Sequence, residues 1–257
     1  MHHAIEYHHF SCQGLHAGNR KRTPVGQLLR ITRGAALLRL GQHELLLPAG
    51  SSFWLCADAL AAFSPLSGCE YDQLNVSLRV AQPQQAGWLQ TTPLLDALAA
   101  FSPLSGCEYD QLNVSLRVAQ PQQAGWLQTT PLLDALLDSL ARWQRPKEWQ
   151  GAYGQRLQVI LDELQQCAIS QQGHGELQAC WQALANGQPE SLQLWAQQAD
   201  APVEGSELQQ QWQLLQALRL LKGGSKPAQV ASKLGYADEA ALQAACQQWG
   251  VGEDGDQ

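Results

Sequence analysis

The sequence predicts an α+β protein, in which an N-terminal β-meander that closes as a barrel or sandwich is followed by an all-helical C-terminal part. Two observations predict it. Between Gln27 and Cys56, apolar runs of strand length alternate with turn residues, and after Thr130-Pro131 the apolar residues recur at helical spacing.

The strands come first. LLRIT is closed by Arg33-Gly34, ALLRL by Gly41-Gln42 and HELLL by Pro48-Ala49-Gly50, and SSFWLC follows. Short strands joined by two- or three-residue turns make a meander. A further strand reads from YDQLNVSLRV, with Leu74, Val76, Leu78 and Val80 expected toward a core and Gln73, Asn75, Ser77 and Arg79 toward water. Residues 1–24 are polar, with histidines and the basic run Arg20, Lys21, Arg22, and show no period. They read as an arm.

From Asp58 to Leu95 the chain reads DALAAFSPLSGCEYDQLNVSLRVAQPQQAGWLQTTPLL, and the same letters run again from Asp96 to Leu133. Two identical copies in unrelated surroundings are not a solenoid, which needs at least about three drifting copies with capped ends. The triplet Asp-Ala-Leu opens both copies and recurs at Asp134, so exchange between triplets accounts for the insertion. The second copy offers the same strand through Leu112, Val114, Leu116 and Val118. Copy one also begins a helix at Thr92-Pro93 but soon meets Pro103 and Gly106, which abort it. Only one strand-helix unit fits a parent fold, so the repeat is expected to cost stability and add no function.

At Thr130-Pro131 a cap residue precedes a first-turn proline, and Leu133, Leu136, Leu137, Leu140 and Trp143 form one stripe. GQRLQVILDELQQC places Leu157, Ile160, Leu161 and Leu164 on one face, and GELQACWQALANG does so with Leu177, Trp181 and Leu184. Gly187-Gln188-Pro189 marks a boundary. The chain ends in an acidic GEDGDQ tail.

Composition excludes several classes. No apolar run approaches the ~18 residues of a membrane span, and MHHAIEYHHF does not read as a signal peptide, so a cytoplasmic location is expected. The seven cysteines contain no Cys-x-x-Cys and read as reduced thiols. A net charge of −7 argues against a surface built broadly for nucleic acid. No catalytic constellation can be assembled. Only His43 lies in the predicted strands, and the adjacent Glu44 points to the opposite face, so neither an enzyme nor a cofactor or metal site is expected. The cluster His2, His3, His8 and His9 is not read as a metal site.

The stretch LQALRLLKGGSKPAQVASKLGYADEAALQAACQQWG carries the most information. Ser225 to Leu234 reads as a short helix with a first-turn proline, Gly235 supplies the turn, and Ala237 or Asp238 opens a second helix to Trp249. Val230, Ala231 and Leu234 face Leu242, Ala245, Cys246 and Trp249 at helical spacing. This fits a helix-turn-helix, and spacing alone fits an ordinary helical hairpin as well.

The run from Ala217 to Gly250, with Val230-Ala231, Leu234-Gly235-Tyr236, Trp249-Gly250 and the flanking Leu220-Leu221, resembles the second helix-turn-helix of AraC-type transcription regulators. The resemblance implies a cupin-like β-barrel that senses a small effector and dimerises, joined to a DNA-binding domain with two helix-turn-helix units. On that pattern 1–24 is an arm and 25–146 the cupin-like domain with the repeat at 58–95 and 96–133. Linker helices then occupy 147–187, a degenerate helix-turn-helix domain 188–250, and the tail 251–257. The resemblance implies a helix-turn-helix core of Val230, Ala231, Leu234, Gly235, Leu242, Cys246 and Trp249. It places Lys226, Lys233, Tyr236, Asp238, Glu239, Gln243, Ala244, Gln247 and Gln248 at the DNA, and a homodimer seam on Leu133, Leu136, Leu137 and Leu140. Arg30, Arg39 and Trp54 are candidates for an effector pocket in the barrel interior, an arginine there suiting an anionic ligand; the alternative puts the arginines on a solvated face and Trp54 in the core.

The chain departs from the family at its reading surface. The segment that matches the first recognition helix is shortened, with no basic residue between Ala196 and Ala217. In the second unit Ala244, Gln247 and Gln248 stand where the family usually places arginine or lysine. Residues 199–250 carry Arg219, Lys222, Lys226 and Lys233 against Asp200, Glu204, Glu207, Asp238 and Glu239. Phosphate contacts supply most non-specific affinity, so DNA binding is expected to be weakened, although glutamine can still read adenine. The alternative is a ligand-binding and dimerisation protein, a decayed regulator that no longer binds DNA on its own.

Overall fold

The computed structural model describes residues 5–76, 125–170 and 173–251. The N-terminal half is β: β1 (Ile5–Cys12), β2 (Lys21–Arg22), β3 (Gly26–Arg33), β4 (Ala35–Leu40), β5 (His43–Pro48), β6 (Ser52–Leu55), β7 (Leu60–Pro65) and β8 (Cys69–Val76). After the repeat come β9 (Gly125–Leu127), α1 (Pro131–Ala141), α2 (Ala152–Gln166) and β10 (Ile169–Ser170). The C-terminal helices are α3 (Gly175–Ala185), α4 (Ser191–Ala196), α5 (Gly205–Lys222), α6 (Pro227–Leu234) and α7 (Glu239–Gln248). The α+β class follows.

Two antiparallel sheets hold the strands, one in the order β1-β8-β3-β6-β9-β10 and the other β2-β7-β4-β5. From β3 to β8 the chain changes sheet at four short corners, at Gly34, Pro48–Ser51, Cys56–Ala59 and Leu66–Gly68, after two earlier crossings into and out of β2. Gly34 has φ +69, a conformation open to glycine without strain, and this lets β3 pass directly into β4 of the other sheet. Pairing stops at each corner, so the described strands form a two-sheet sandwich, one of the two forms the strand pattern left open, and not the closed barrel that the resemblance implies.

Leu29, Ile31, Leu38, Leu47, Phe53, Leu55, Cys69, Tyr71 and Trp126 fill the space between the sheets. The outer face of the first sheet is also buried. Leu28, Trp54, Leu74 and Val76 pack against Leu133, Leu137 and Leu140 of α1 and Leu157, Ile160, Leu161 and Leu164 of α2. With apolar layers on both sides, the row of β8 expected in water starts inside: Gln73 is buried on the inner face, where it donates to Asn75 Oδ1 at 2.9 Å, Asn75 is half-buried, and Ser77 and Arg79 lie outside the described residues.

Ala35, Leu37, Leu46 and Leu66, on the outer face of the second sheet, share one core with Leu177, Trp181 and Leu184 of α3 and with residues of α4 to α7. The C-terminal helices are therefore continuous with the sandwich. Each such leucine taken from water contributes about 1.5–3 kcal/mol. Polar contacts fix the register. The Gln178 side chain donates to the Leu46 carbonyl and accepts its amide on edge strand β5, and Trp181 Nε1 donates to the Glu44 carbonyl at 3.2 Å. The Arg219 guanidinium reaches Glu44 Oε1 at 2.7 Å.

Two boundaries move. Much of the expected arm is β1, paired with β8 from Ile5↔Val76 to Cys12↔Cys69. The expected linker 147–187 is not one unit, because the stripe of α2 packs on α1 and the first sheet, while that of α3 packs with the C-terminal helices.

The repeat is used half by half. Strands β7 and β8 come from the first copy, whereas β9 and the first turn of α1 come from the second. The helix at Thr92-Pro93, the strand through Leu112 to Val118, and Leu78 and Val80 lie outside the described residues.

Candidate functional site

Helices α5, α6 and α7 form the unit singled out by sequence. Pro227 sits in the first turn of α6, where a proline loses no intrahelical bond. Gly235 ends that helix with φ +81, and the Tyr236 amide donates to the Ala231 carbonyl at 2.9 Å, the closure that a left-handed cap allows. Asp238 then caps α7, its Oδ1 accepting the Ala241 amide at 2.8 Å. Val230, Ala231 and Leu242 are buried against Leu214, Leu215 and Ala217 of α5, with Leu234, Cys246 and Trp249 packed at the margin. The expected core residues are thus brought together around the Gly235 turn.

The expected reading residues lie on the outside. Gln243, Ala244, Gln247 and Gln248 are exposed on α7, as two i, i+4 rows that share a face. Lys226, Lys233 and Glu239 are exposed as well. Asp238 is exposed but its carboxylate is engaged by the helix. Tyr236 is half-buried against the core, and burial raises its phenol pKa. The surface is polar and adaptable, with only two lysines to meet phosphate. Between α4 and α5, residues 197–204 hold no helix, so the shortened first unit has no separate reading helix there.

The candidate effector residues are not in the sandwich interior. On β3, Leu29 and Ile31 point inward, which turns Leu28 and Arg30 to the outer face beneath α1. Trp54 is on the same outer face. Arg30 is buried in an ion-pair cluster: Nε and Nη2 donate to Asp72 Oδ2 at 2.9 and 2.6 Å, Nη2 also reaches Asp138, and Nη1 donates to the Asp134 carbonyl at 3.3 Å. Tyr7 donates to Asp72 Oδ1 at 2.6 Å, and His9 Nδ1 lies 2.8 Å from the same oxygen. Burial, reinforced by the Asp72 bond, drives the Tyr7 pKa upward. The pairing with neighbouring carboxylates keeps Arg30 charged. Its charge is matched within the chain, so the cluster joins sheet to helix and leaves no unmatched cation for an anionic effector. Arg39 is on the outer face of the other sheet, 3.7 Å from Glu44, beside the C-terminal helices.

Sequence reasoning missed Asp72, Tyr7 and His9. The one available signal was an acid at Asp72 in the row that continues with Leu74 and Val76. The dimer seam is also corrected: Leu133, Leu137 and Leu140 are buried against the sandwich, and only Leu136 is partly accessible. Among the described residues no group of three or more His, Cys, Asp or Glu could hold a metal ion. No described helix is long and apolar enough to cross a membrane.

No family model matches the chain, and no curated protein matches it in sequence. Among solved structures it is similar to ToxT from Vibrio cholerae, at 9% identity and TM-score 0.31 over 96% of this chain and 94% of that one. The N-terminal part is similar to a cupin superfamily protein from Desulfitobacterium hafniense, at 14% identity and TM-score 0.27 over 28% of this chain and 67% of that one. A cupin-2 domain protein from Shewanella frigidimarina is similar at 8% identity and TM-score 0.25, over 28% of this chain and 71% of that one.

Proposed function

We propose that the chain is a DNA-binding transcription regulator of the AraC type, with the sandwich as its small-molecule sensor and α6–α7 as its reading unit. The observation that carries this reading is the α6–Gly235–α7 turn, with a buried core on one side and the exposed face Gln243, Ala244, Gln247 and Gln248 on the other. A helix carrying its polar face outward beside a tight turn suits the major groove, and Gln243 or Gln247 can pair with adenine for about 1–3 kcal/mol each. The protein acts in the cytoplasm, as a homodimer, without enzymatic activity or cofactor.

The scarcity of cations on that face favours a second reading, a ligand-binding and dimerisation protein whose DNA affinity is gone. Fluorescence anisotropy with the DNA upstream of its own gene separates the two. A regulator binds that DNA more tightly than scrambled DNA, with an affinity that falls as salt rises. No binding at low salt, by this chain or by one lacking a repeat copy, selects the second reading.

A further inference from the structure

Cys12 ends β1 and Cys69 begins β8, and the two are direct cross-strand partners. Both side chains point into the space between the sheets, where Cys69 belongs to the buried cluster and Cys12 packs against it. Contact on this face is close: the preceding pair, Phe10 and Tyr71, stacks with ring centroids 4.9 Å apart. Directly opposed residues of an antiparallel pair have Cβ atoms about 4.5–5.5 Å apart, and a disulfide needs about 3.5–4.5 Å. Both cysteines sit at strand ends, beside the turn in which the Cys69 amide donates to the Leu66 carbonyl at 3.1 Å. Forming the bond takes a closure of about an ångström, at the strand ends and not in the middle of the sheet.

We propose that Cys12 and Cys69 are a redox modification site, a thiol pair that a peroxide converts into a cross-strand disulfide. Cys69 is fully buried and Cys12 is partly exposed, which sets the order of events. The Cys12 thiolate attacks one peroxide oxygen, giving a sulfenic acid and, with a proton, water. The Cys69 sulfur then displaces the sulfenic oxygen, which leaves with a proton as a second water. Two thiols and one peroxide thus give one disulfide and two waters. Burial pushes the Cys69 thiol up to about 12, so the second step is slow and the pair stays reduced until an oxidant persists.

The position gives the bond a consequence. Immediately after Cys12 the chain crosses to the C-terminal helices: the Leu15 amide donates to the Trp249 carbonyl at 2.8 Å, and Lys222 Nζ donates to the Ala17 carbonyl at 2.7 Å. Oxidation staples the root of this segment to β8. The inference is independent of whether α7 reads DNA.

The test treats the full reduced chain with hydrogen peroxide, alkylates remaining thiols after denaturation, and digests with trypsin without reductant. Trypsin separates Cys12, in residues 1–20, from Cys69, in 40–79, and from its repeat equivalent Cys107, in 80–117. The expected product is 1–20 linked to 40–79, two hydrogens lighter than the sum of the peptides, with fragmentation placing the bond on Cys69 and not Cys56. It forms at a rate independent of protein concentration and is lost in Cys12→Ser and Cys69→Ala. Full alkylation of Cys12 after peroxide, a link to 80–117, or a bond assigned to Cys56 overturns the proposal.

Discussion

Arg30 on β3 stands directly opposite Asp72 on β8, and its guanidinium gives two hydrogen bonds to that carboxylate while also reaching Asp138 on α1. One side chain therefore ties two strands to the helix that covers them. Breaking a buried pair from one side strands the other charge, at about 3–5 kcal/mol. Arg30→Met and Asp72→Asn are each expected to destabilise by that order in urea unfolding. The double variant should cost clearly less than the sum, with a coupling above about 1 kcal/mol. Additive losses would mean that the two residues act separately.

Alkaline solution should weaken the fold. Tyr7 and Tyr153 both have raised phenol pKa values, Tyr153 to about 12, chiefly through burial, and the Cys69 thiol is raised to about 12 in the same way. A group that holds its proton more tightly folded than unfolded contributes stability that is complete below the unfolded pKa and lost above it. Loss should begin near pH 9 with Cys69 and steepen near pH 10 with the tyrosines. Unfolding free energies measured from pH 7 to 11 check this. Tyr7→Phe should flatten the slope above about pH 10, and an unchanged slope would remove Tyr7 from the account.

The helix pair covering the first sheet has an uncovered outer side. Leu132 of α1 is 50% exposed and Val159 of α2 is 40% exposed. Arg156 Nε donates to Ser139 Oγ and Thr130 donates to Glu163, so the helices run antiparallel, and each leaves one large apolar residue exposed. If the chain pairs with a second copy through α1, the contact must lie here, since Leu133 and Leu137 are already spent on the sandwich. Leu132→Glu with Val159→Glu should leave a folded chain at half the mass in analytical ultracentrifugation. Leu137→Ala should instead cost about 2–5 kcal/mol of stability. A wild-type monomer would end the dimer assignment.

What the sequence disclosed follows from where a local signal was unambiguous. The start of α1 was legible because Thr130 and Pro131 act within one turn, and α6–α7 because a glycine, a cap and two apolar stripes agree. The orientation of Arg30 and Trp54 was not, because strand alternation shows which residues share a face and not what covers it. Where both faces of a sheet are buried, no polar row marks the outside. Strand β1 was hidden for the same reason: Ile5 and Tyr7 serve one apolar layer, Phe10 and Cys12 the other, and histidines fall between. The Cys12–Cys69 pairing needed the strand register, which a single chain does not display.

The repeat tests the fold most directly. Only the second copy is followed by Leu137, Asp138 and Leu140, which the first replaces with Ala99, Ala100 and Ser102, so α1 must come from the second. Only the first copy follows Cys56 and Ala57, where the Ala59 amide closes a turn on the Cys56 carbonyl at 3.2 Å and the Asp58 amide donates to Thr23, so β7 and β8 must come from the first. The extra unit is thereby confined to the span 77–124. Removing 77–114 yields the same polypeptide as removing 58–95, because the copies are identical. It shortens that connection roughly fivefold and leaves every described contact in place. Loop closure alone then predicts a gain of about 1.4 kcal/mol. Calorimetry of the two chains should show the shorter one melting several degrees higher, by ~3–6 °C at this size. A lower melting temperature would show that the extra unit contributes contacts to the folded protein.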